Sequence, residues 1–302
     1  MKLYKTTLMP VSSFATQLKG DTFFGMLCWA IRYKFGEEKL KKLIKDYDKN
    51  PFLIVSDGFL SGFLPKPTMP SQMLGENKDF KKENRKKLWI SYENLINSKF
   101  SQAKTADEVG EILKEKGFET YKEKAEIITK NIINYTSFTA DDPYSELEFV
   151  LPPQDIYILL DDNKFGLAEL KEAICLIGQI GYGKNASIGK GRFEISDFAE
   201  ILQWSSSKAF MTLSPCVLQG IGDTKECFYE PFTRFGKHGG YLASSGKFEK
   251  SPLLLANTGA VVVFKENRDI KFIGKMITGH SEQKDTIHQG YSIVLPIKLI
   301  GD

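Results

Sequence analysis

The order of strand-like and helix-like segments marks an α+β chain and is compatible with two ferredoxin-like (RRM-type) βαββαβ units in tandem, with a charged helical insertion in the first. Three observations lead to it. Short apolar runs bounded by proline and glycine mark strands at Lys2–Met9, Leu53–Val55, Leu147–Leu160 and Arg192–Ile195. Apolar residues at helical spacing mark one helix beginning near Gly20 and another over Leu167–Ile180. The run Ser205-Ser206-Ser207 then separates this set from further strands near Ala209–Ser214, Leu253–Phe264 and Tyr291–Leu299. The predicted domains are therefore 1–204 and 205–302.

The first strand stops at Pro10, which lacks the N–H that a β ladder needs. The first helix starts at Gly20-Asp21-Thr22, where Asp21 or Thr22 is placed to cap free backbone N–H groups. Its apolar residues Phe23, Phe24, Leu27, Cys28 and Ile31 recur at helical spacing, and Gly36 is its stop. After Leu53–Val55, the prolines Pro65, Pro67 and Pro70 force an extended loop. Residues 71–135 read as the insertion. Lys78, Lys81, Lys82, Arg85, Lys86 and Lys87 face only Asp79 and Glu83, and Ala106–Ile133 is helix-favouring with mixed charge, the pattern of a solvated helical face. Strand character resumes around Pro152-Pro153. The helix Leu167–Ile180 follows, and a glycine-rich loop at 181–191 leads to the last strand of the first unit.

The 302 residues are 42% hydrophobic and 26% charged, enough apolar material for a packed core. A net charge of +3 neither demands nor excludes a nucleic-acid partner, so the clustering of basic residues must decide. No apolar run approaches the roughly 20 residues of a membrane helix, and no signal peptide is recognisable at Met1-Lys2-Leu3. Cys28, Cys175, Cys216 and Cys227 are scattered, with no Cys-x-x-Cys pair, so no metal or other cofactor is expected. Cys28 and Cys175 fall in apolar helical patterns and read as buried free thiols of a cytoplasmic protein.

The chemistry concentrates in Gly181-Tyr182-Gly183-Lys184-Asn185-Ala186-Ser187-Ile188-Gly189-Lys190-Gly191-Arg192. A P-loop fails on spacing, and on Gly191 where a hydroxyl residue should follow Lys190. A dinucleotide fingerprint fails because helix precedes and strand follows, the reverse of its context. The glycines permit positive φ and close backbone approach, and successive N–H groups in such a turn make an anion-binding nest. Lys184, Lys190 and Arg192 add charge, with no acid in the twelve residues.

This segment resembles the glycine-rich loop of the RAMP proteins of CRISPR systems, in which two glycines flanking an aromatic or apolar residue, five residues, then Gly-x-Gly join the last helix and last strand of a ferredoxin-like domain. Gly20-Asp21-Thr22-Phe23-Phe24-Gly25, Ser56-Asp57-Gly58-Phe59 with Gly62, Leu64, Pro65, Lys66 and Pro67, and Pro231–Gly240 followed by Lys250-Ser251-Pro252-Leu253-Leu254 resemble the Csm subunit-four family of type III-A complexes. The resemblance implies a non-catalytic subunit that holds the 5′ handle of the CRISPR RNA. It also implies contacts to the large palm-domain subunit and a backbone RAMP subunit. By the same resemblance Gly181, Tyr182, Gly183, Lys184, Asn185, Ser187, Gly189, Lys190, Gly191 and Arg192 would grip handle phosphates and sugars. Arg234, Lys237 and His238 form a second candidate contact, and Tyr182, Phe232 and Phe235 are candidate stacking platforms. The N-terminus of the first helix is a further place for a phosphate.

The competing reading is a metal-independent endoribonuclease that processes CRISPR precursor RNA, with His238 as general acid or base. His280 and His288 lie in the polar segment Thr278–Gln289, which reads as a loop, and spacing implies no partner for His238. Asp141-Asp142 and Asp161-Asp162 read as solvated loop pairs, since adjacent side chains diverge.

Overall fold

The computed structural model describes residues 1–134, 136–140, 143–202, 205–244, 246 and 248–299. In the first half, β1 (Lys2–Pro10) is followed by α1 (Gly20–Phe35) and β2 (Leu53–Val55). After the insertion come β5 (Gln154–Leu160), α3 (Leu167–Ile180) and β6 (Phe193–Ile195). The sheet order is β6-β1-β5-β2, with every pairing antiparallel. Counted within the β-α-β-β-α-β set, that order is fourth-first-third-second. β5 is buried along its whole length, as its apolar stretch Ile156–Leu160 requires of a central strand. α1 and α3 pack on each other, α1 beside β2 and α3 beside β6. Gly178 permits the last contact, because a Cβ there would lie 2.2 Å from the Phe193 carbonyl oxygen.

Asp21 does not cap α1. The N-cap is Lys19 and makes no side-chain cap bond. The Gly20 N–H instead donates to Asp57 Oδ1 at 2.8 Å, so the loop after β2 closes the helix start. The Thr22 N–H donates to Asp21 Oδ1. With these groups occupied, the start of α1 is not the open phosphate site that the sequence suggested.

The insertion is only partly helical. It holds α2 (Ala106–Glu115), started by a Thr105/Glu108 capping box, and then β3 (Lys124–Lys130), where the sequence suggested a continuing helical face. β3 and β4 (Tyr144–Val150) form a hairpin in register from Tyr144↔Lys130 to Val150↔Lys124. The β-branched run Ile127-Ile128-Thr129 favours the strand, and a partner strand outside the predicted insertion completes it. Leu60, Phe63, Val109 and Leu113 form a small separate core beneath α2.

The second half holds β7 (Ser207–Thr212), β8 (Thr224–Phe228), β9 (Pro231–Arg234), β10 (Leu253–Ala256), β11 (Val261–Arg268), β12 (Phe272–Gly274) and β13 (Tyr291–Ile297). Its main sheet runs β8-β11-β7-β13-β12. Strands β13-β7-β11-β8 repeat the fourth-first-third-second order of the first half. No α-helix occurs there among the described residues, against the expectation of a second complete βαββαβ set. Between β7 and β8, Pro215, Gly220 and Gly222 interrupt any helical pattern, and the polar segment between β12 and β13 has no apolar stripe to bury. The expected strand Leu253–Phe264 is split by a turn at Gly259 (φ +86°), so β10 leaves the sheet to pair with β9.

One hydrophobic core runs through both halves, from Leu3 and Phe23 to Met211, Val263 and Ile293. The Asp57 N–H donates to the Leu213 carbonyl. The buried Gln289 side chain receives the Val55 N–H at 2.9 Å and donates back to the Val55 carbonyl at 2.8 Å. A side-chain amide thus caps the free edge of β2 where another strand would otherwise pair. No helix among the described residues is long and apolar enough to cross a membrane.

Candidate nucleic-acid interface

The glycine loop is closed on itself. α3 ends at Gly181 (φ +108°), the Tyr182 N–H donates to Gly191 O, and the Gly191 N–H donates to Ser13 O. A Cβ on Gly181 would sit 2.3 Å from Lys190 O, and one on Gly191 would sit 2.3 Å from Tyr182 O. Gly183, Asn185 and Gly189 also have positive φ, with open space around Gly189. This geometry leaves the N–H groups of Gly183, Asn185, Ala186 and Ser187 without an acceptor among the described residues. The Ser187 and Ile188 side chains are exposed beside them. Tyr182, a predicted stacking platform, is instead fully buried, stacked on Phe23 with ring centroids 5.8 Å apart. Its hydroxyl donates to Gln17 O and accepts from the Lys19 N–H, which anchors the loop to the start of α1.

The loop's lysines are paired with acids that the twelve-residue motif does not contain. Lys184 Nζ lies 2.6 Å from Glu146, and Asn185 Nδ2 donates to the same carboxylate at 2.7 Å. Lys190 Nζ lies 2.5 Å from Glu148 and 2.9 Å from Ser13 Oγ. Lys130 of β3 bridges both glutamates, at 2.6 and 3.2 Å. Hydrogen bonds from Lys130, Lys184 and Asn185 hold the Glu146 carboxyl down at about 2. Lys190, Ser13 and Lys130 hold Glu148 below the ordinary carboxylate range despite its burial. Arg192 is exposed and has no ionic partner among the described residues.

The second predicted contact divides. Arg234 is held by two hydrogen bonds to Asp21, Nε to Oδ2 at 2.7 Å and the second to Oδ1 at 2.6 Å, with the Asp21 side chain 1% exposed. Its guanidinium ties the β9 hairpin to α1 and is not a free phosphate ligand. Phe232 is half-buried between this guanidinium and the Lys19 ammonium, 4.9 and 5.3 Å from its ring centre. Lys19 in turn pairs with Asp57 at 2.7 Å. Phe235 is 72% exposed, the only predicted platform that reaches solvent as a free ring. Lys237 is exposed, 3.8 Å from Glu249.

His238 is buried, and its Nε2 lies 2.7 Å from Ser281 Oγ. Burial and the nearby Lys250 charge hold its pKa below the ordinary histidine value. Sequence spacing missed that all three histidines gather here. His280 and His288 are buried with ring centroids 5.7 Å apart, and His288 Nε2 lies 3.5 Å from Asp21 Oδ2. Burial pushes both down to about 4. Neither nitrogen of His280 has a hydrogen-bond partner among the described residues. No group of three side chains suited to a metal ion occurs among those residues. Asp162 accepts from Tyr4, while Asp161 faces Lys164, consistent with structural roles; Asp141 and Asp142 lie outside the described residues. Cys175, expected inside, is exposed because α3 buries Leu170, Ala173, Ile174 and Ile177 on its other face.

No curated protein matches the sequence. Among solved structures, a chain in the crystal structure of a Csm1-Csm4 cassette in complex with AMPPNP shares the fold, with a TM-score of 0.62, 15% identity and 99% of each chain covered. A chain in the crystal structure of a Csm3-Csm4 subcomplex of the type III-A CRISPR-Cas interference complex does so too, with a TM-score of 0.61 and 17% identity over 99% of this chain and 100% of the other. The family model of the RAMP superfamily matches residues 18–194, from just before α1 to β6 and across the whole glycine loop. The chain belongs to the RAMP superfamily.

Proposed function

We propose that this chain is a non-catalytic RNA-binding subunit of a type III-A CRISPR interference complex, equivalent to Csm4, that holds the 5′ handle of the CRISPR RNA. The observation that carries the reading is the end-to-end likeness to chains of the Csm1-Csm4 and Csm3-Csm4 assemblies, joined to the RAMP glycine loop. Those assemblies supply the proposed partners, a large palm-domain subunit like Csm1 and a backbone RAMP subunit like Csm3. In this reading both halves are ferredoxin-like, the second without its helices.

The loop suits phosphate binding through its backbone. Among the described residues, four neighbouring ones present N–H groups without internal acceptors, and the exposed Arg192 follows them without an ionic partner. The lysines would add charge only by sharing or exchanging their glutamates. Phe235 offers a face for an unpaired base. A cleavage role for His238 is disfavoured by its burial, its bond to Ser281 and its lowered basicity.

The test is binding of the chain, co-expressed with its partner subunits, to CRISPR RNA with and without the 5′ handle. The salt concentration is varied and cleavage is monitored without metal. Handle-dependent binding with intact RNA is expected. Metal-independent cleavage lost in H238Q would overturn the reading in favour of the ribonuclease.

A further inference from the structure

Glu146 and Glu148 lie two residues apart on β4 and therefore point to the same side of the hairpin. Each reaches a different lysine of the glycine loop, and Lys130 from the paired strand joins them. Three ammonium groups thus share two carboxylates, leaving the network with one net positive charge. The opposite side of the same hairpin exposes Ile127 and Leu147. The charged side is thus turned toward the loop and the apolar side away from it.

This arrangement is unusual for a surface meant to attract a polyanion. Free lysines on the loop would raise affinity for any RNA, because each one releases a counterion when it meets a phosphate. Pairing them with carboxylates removes most of that indiscriminate term while keeping the side chains fixed over the loop. Lys184 is 61% exposed, so an incoming phosphate can reach it, whereas Glu148 is 4% exposed and stays in place behind Lys190. An RNA strand gains at this site only if it also satisfies the backbone N–H groups of Gly183, Asn185, Ala186 and Ser187.

We propose that Glu146 and Glu148 are specificity-determining residues, masking the charge of Lys184 and Lys190 so that the glycine loop selects a strand that fits it over RNA that offers only charge. The inference rests on the RNA-binding reading above.

The test uses the E146Q/E148Q chain in complex with its partner subunits. The single variant E146Q serves as a second, milder perturbation, since Glu146 sits at the rim of the network. Mass-spectrometric amine labelling of Lys130, Lys184 and Lys190 reads the masking without any RNA. Binding of a uridine homopolymer and of handle-bearing CRISPR RNA across a salt series reads its consequence. Faster labelling of the lysines is expected. Homopolymer affinity should rise about tenfold, its salt slope steepen by about 1.4 for two freed cations, and the preference for the handle shrink. Unchanged labelling overturns the inference, as does increased labelling with homopolymer affinity flat or reduced. If no RNA binds wild type or variant, the RNA-binding reading itself fails, and the inference falls with it; handle binding with an unchanged preference fails the inference alone.

Discussion

Acid should loosen the joint between the two halves well above the pH at which carboxylates titrate. His280 and His288 are buried and held at about 4, against an ordinary value near 6.5. The groups facing them are Asp21 on α1, Arg234 on β9, and His238 and Lys250 on the segment between β9 and β10. Of these only Asp21 favours protonation, and it is already saturated by two bonds from Arg234. The unfolded chain takes up protons on these imidazoles as pH falls through about 6.5, whereas the folded chain does so only near 4. Stability is therefore fully present above pH 6.5 and is lost as pH falls toward 4. Integrating the proton difference from pH 7 to pH 5 gives about 2 kcal/mol for each imidazole, or about 4 kcal/mol for the pair. That is a large share of the roughly 5–15 kcal/mol of a typical domain. Glu146 and Glu148, with lowered values, weaken the fold only below about pH 4.5, so they do not obscure this window. The assay is the urea midpoint at pH 7, 6 and 5, for wild type and for H280Q, whose side chain cannot be protonated. The wild-type midpoint should fall steadily and H280Q should lose part of that pH dependence, with His288 and the likewise depressed His238 carrying the rest. A wild-type midpoint unchanged between pH 7 and 5, or an H280Q chain with the wild-type slope, would show that these imidazoles do not set the acid response.

Other perturbations test the remaining contacts. R234A leaves the Asp21 carboxylate buried without its partner, at an expected cost of about 3–5 kcal/mol by thermal or chemical unfolding, with partial recovery in D21N/R234Q. G191A places a Cβ against the Tyr182 backbone at positive φ and should lower the melting temperature and abolish handle binding together, whereas G189A, with open space around it, should mainly strain the backbone by about 1–2 kcal/mol. R192A should weaken RNA binding similarly for all sequences and reduce the salt slope by about 0.7. F235A should lower affinity for single-stranded RNA by about 1–3 kcal/mol with an unchanged salt slope, read in the same binding series.

Much of the first half was legible because its signals are local. The apolar stretch of β5, the helical spacing of α3 and the glycines that end and follow it each determine their own conformation. The loop's glycine spacing likewise marks a closed turn, since a Cβ on Gly181 or Gly191 would collide with the backbone inside an eleven-residue closure. What could not be read came from distant partners. Lys184 and Lys190 looked unpaired because Glu146 and Glu148 lie 38 and 42 positions earlier, 184 − 146 and 190 − 148. The alternating glutamates Glu146 and Glu148 are the available signal, but the strand that pairs with theirs, Lys124–Lys130, falls in a stretch whose composition favours helix. Arg234 reads as free in the sequence because Asp21, 213 positions away, has the local signature of a helix cap. The histidines read as isolated for the same reason: only the packing of the β9 hairpin and the 278–289 segment onto α1 brings them together.

The functional reading stands or falls on whether the glycine loop holds the handle. The decisive experiment is photo-crosslinking of a CRISPR RNA carrying 4-thiouridine at successive handle positions to the assembled complex, with the crosslinked peptides mapped by mass spectrometry. Crosslinks from handle nucleotides should fall within 181–192 and at Phe235. A bound handle that crosslinks elsewhere in this chain or to its partners, with none in 181–192, would exclude the loop as the handle site.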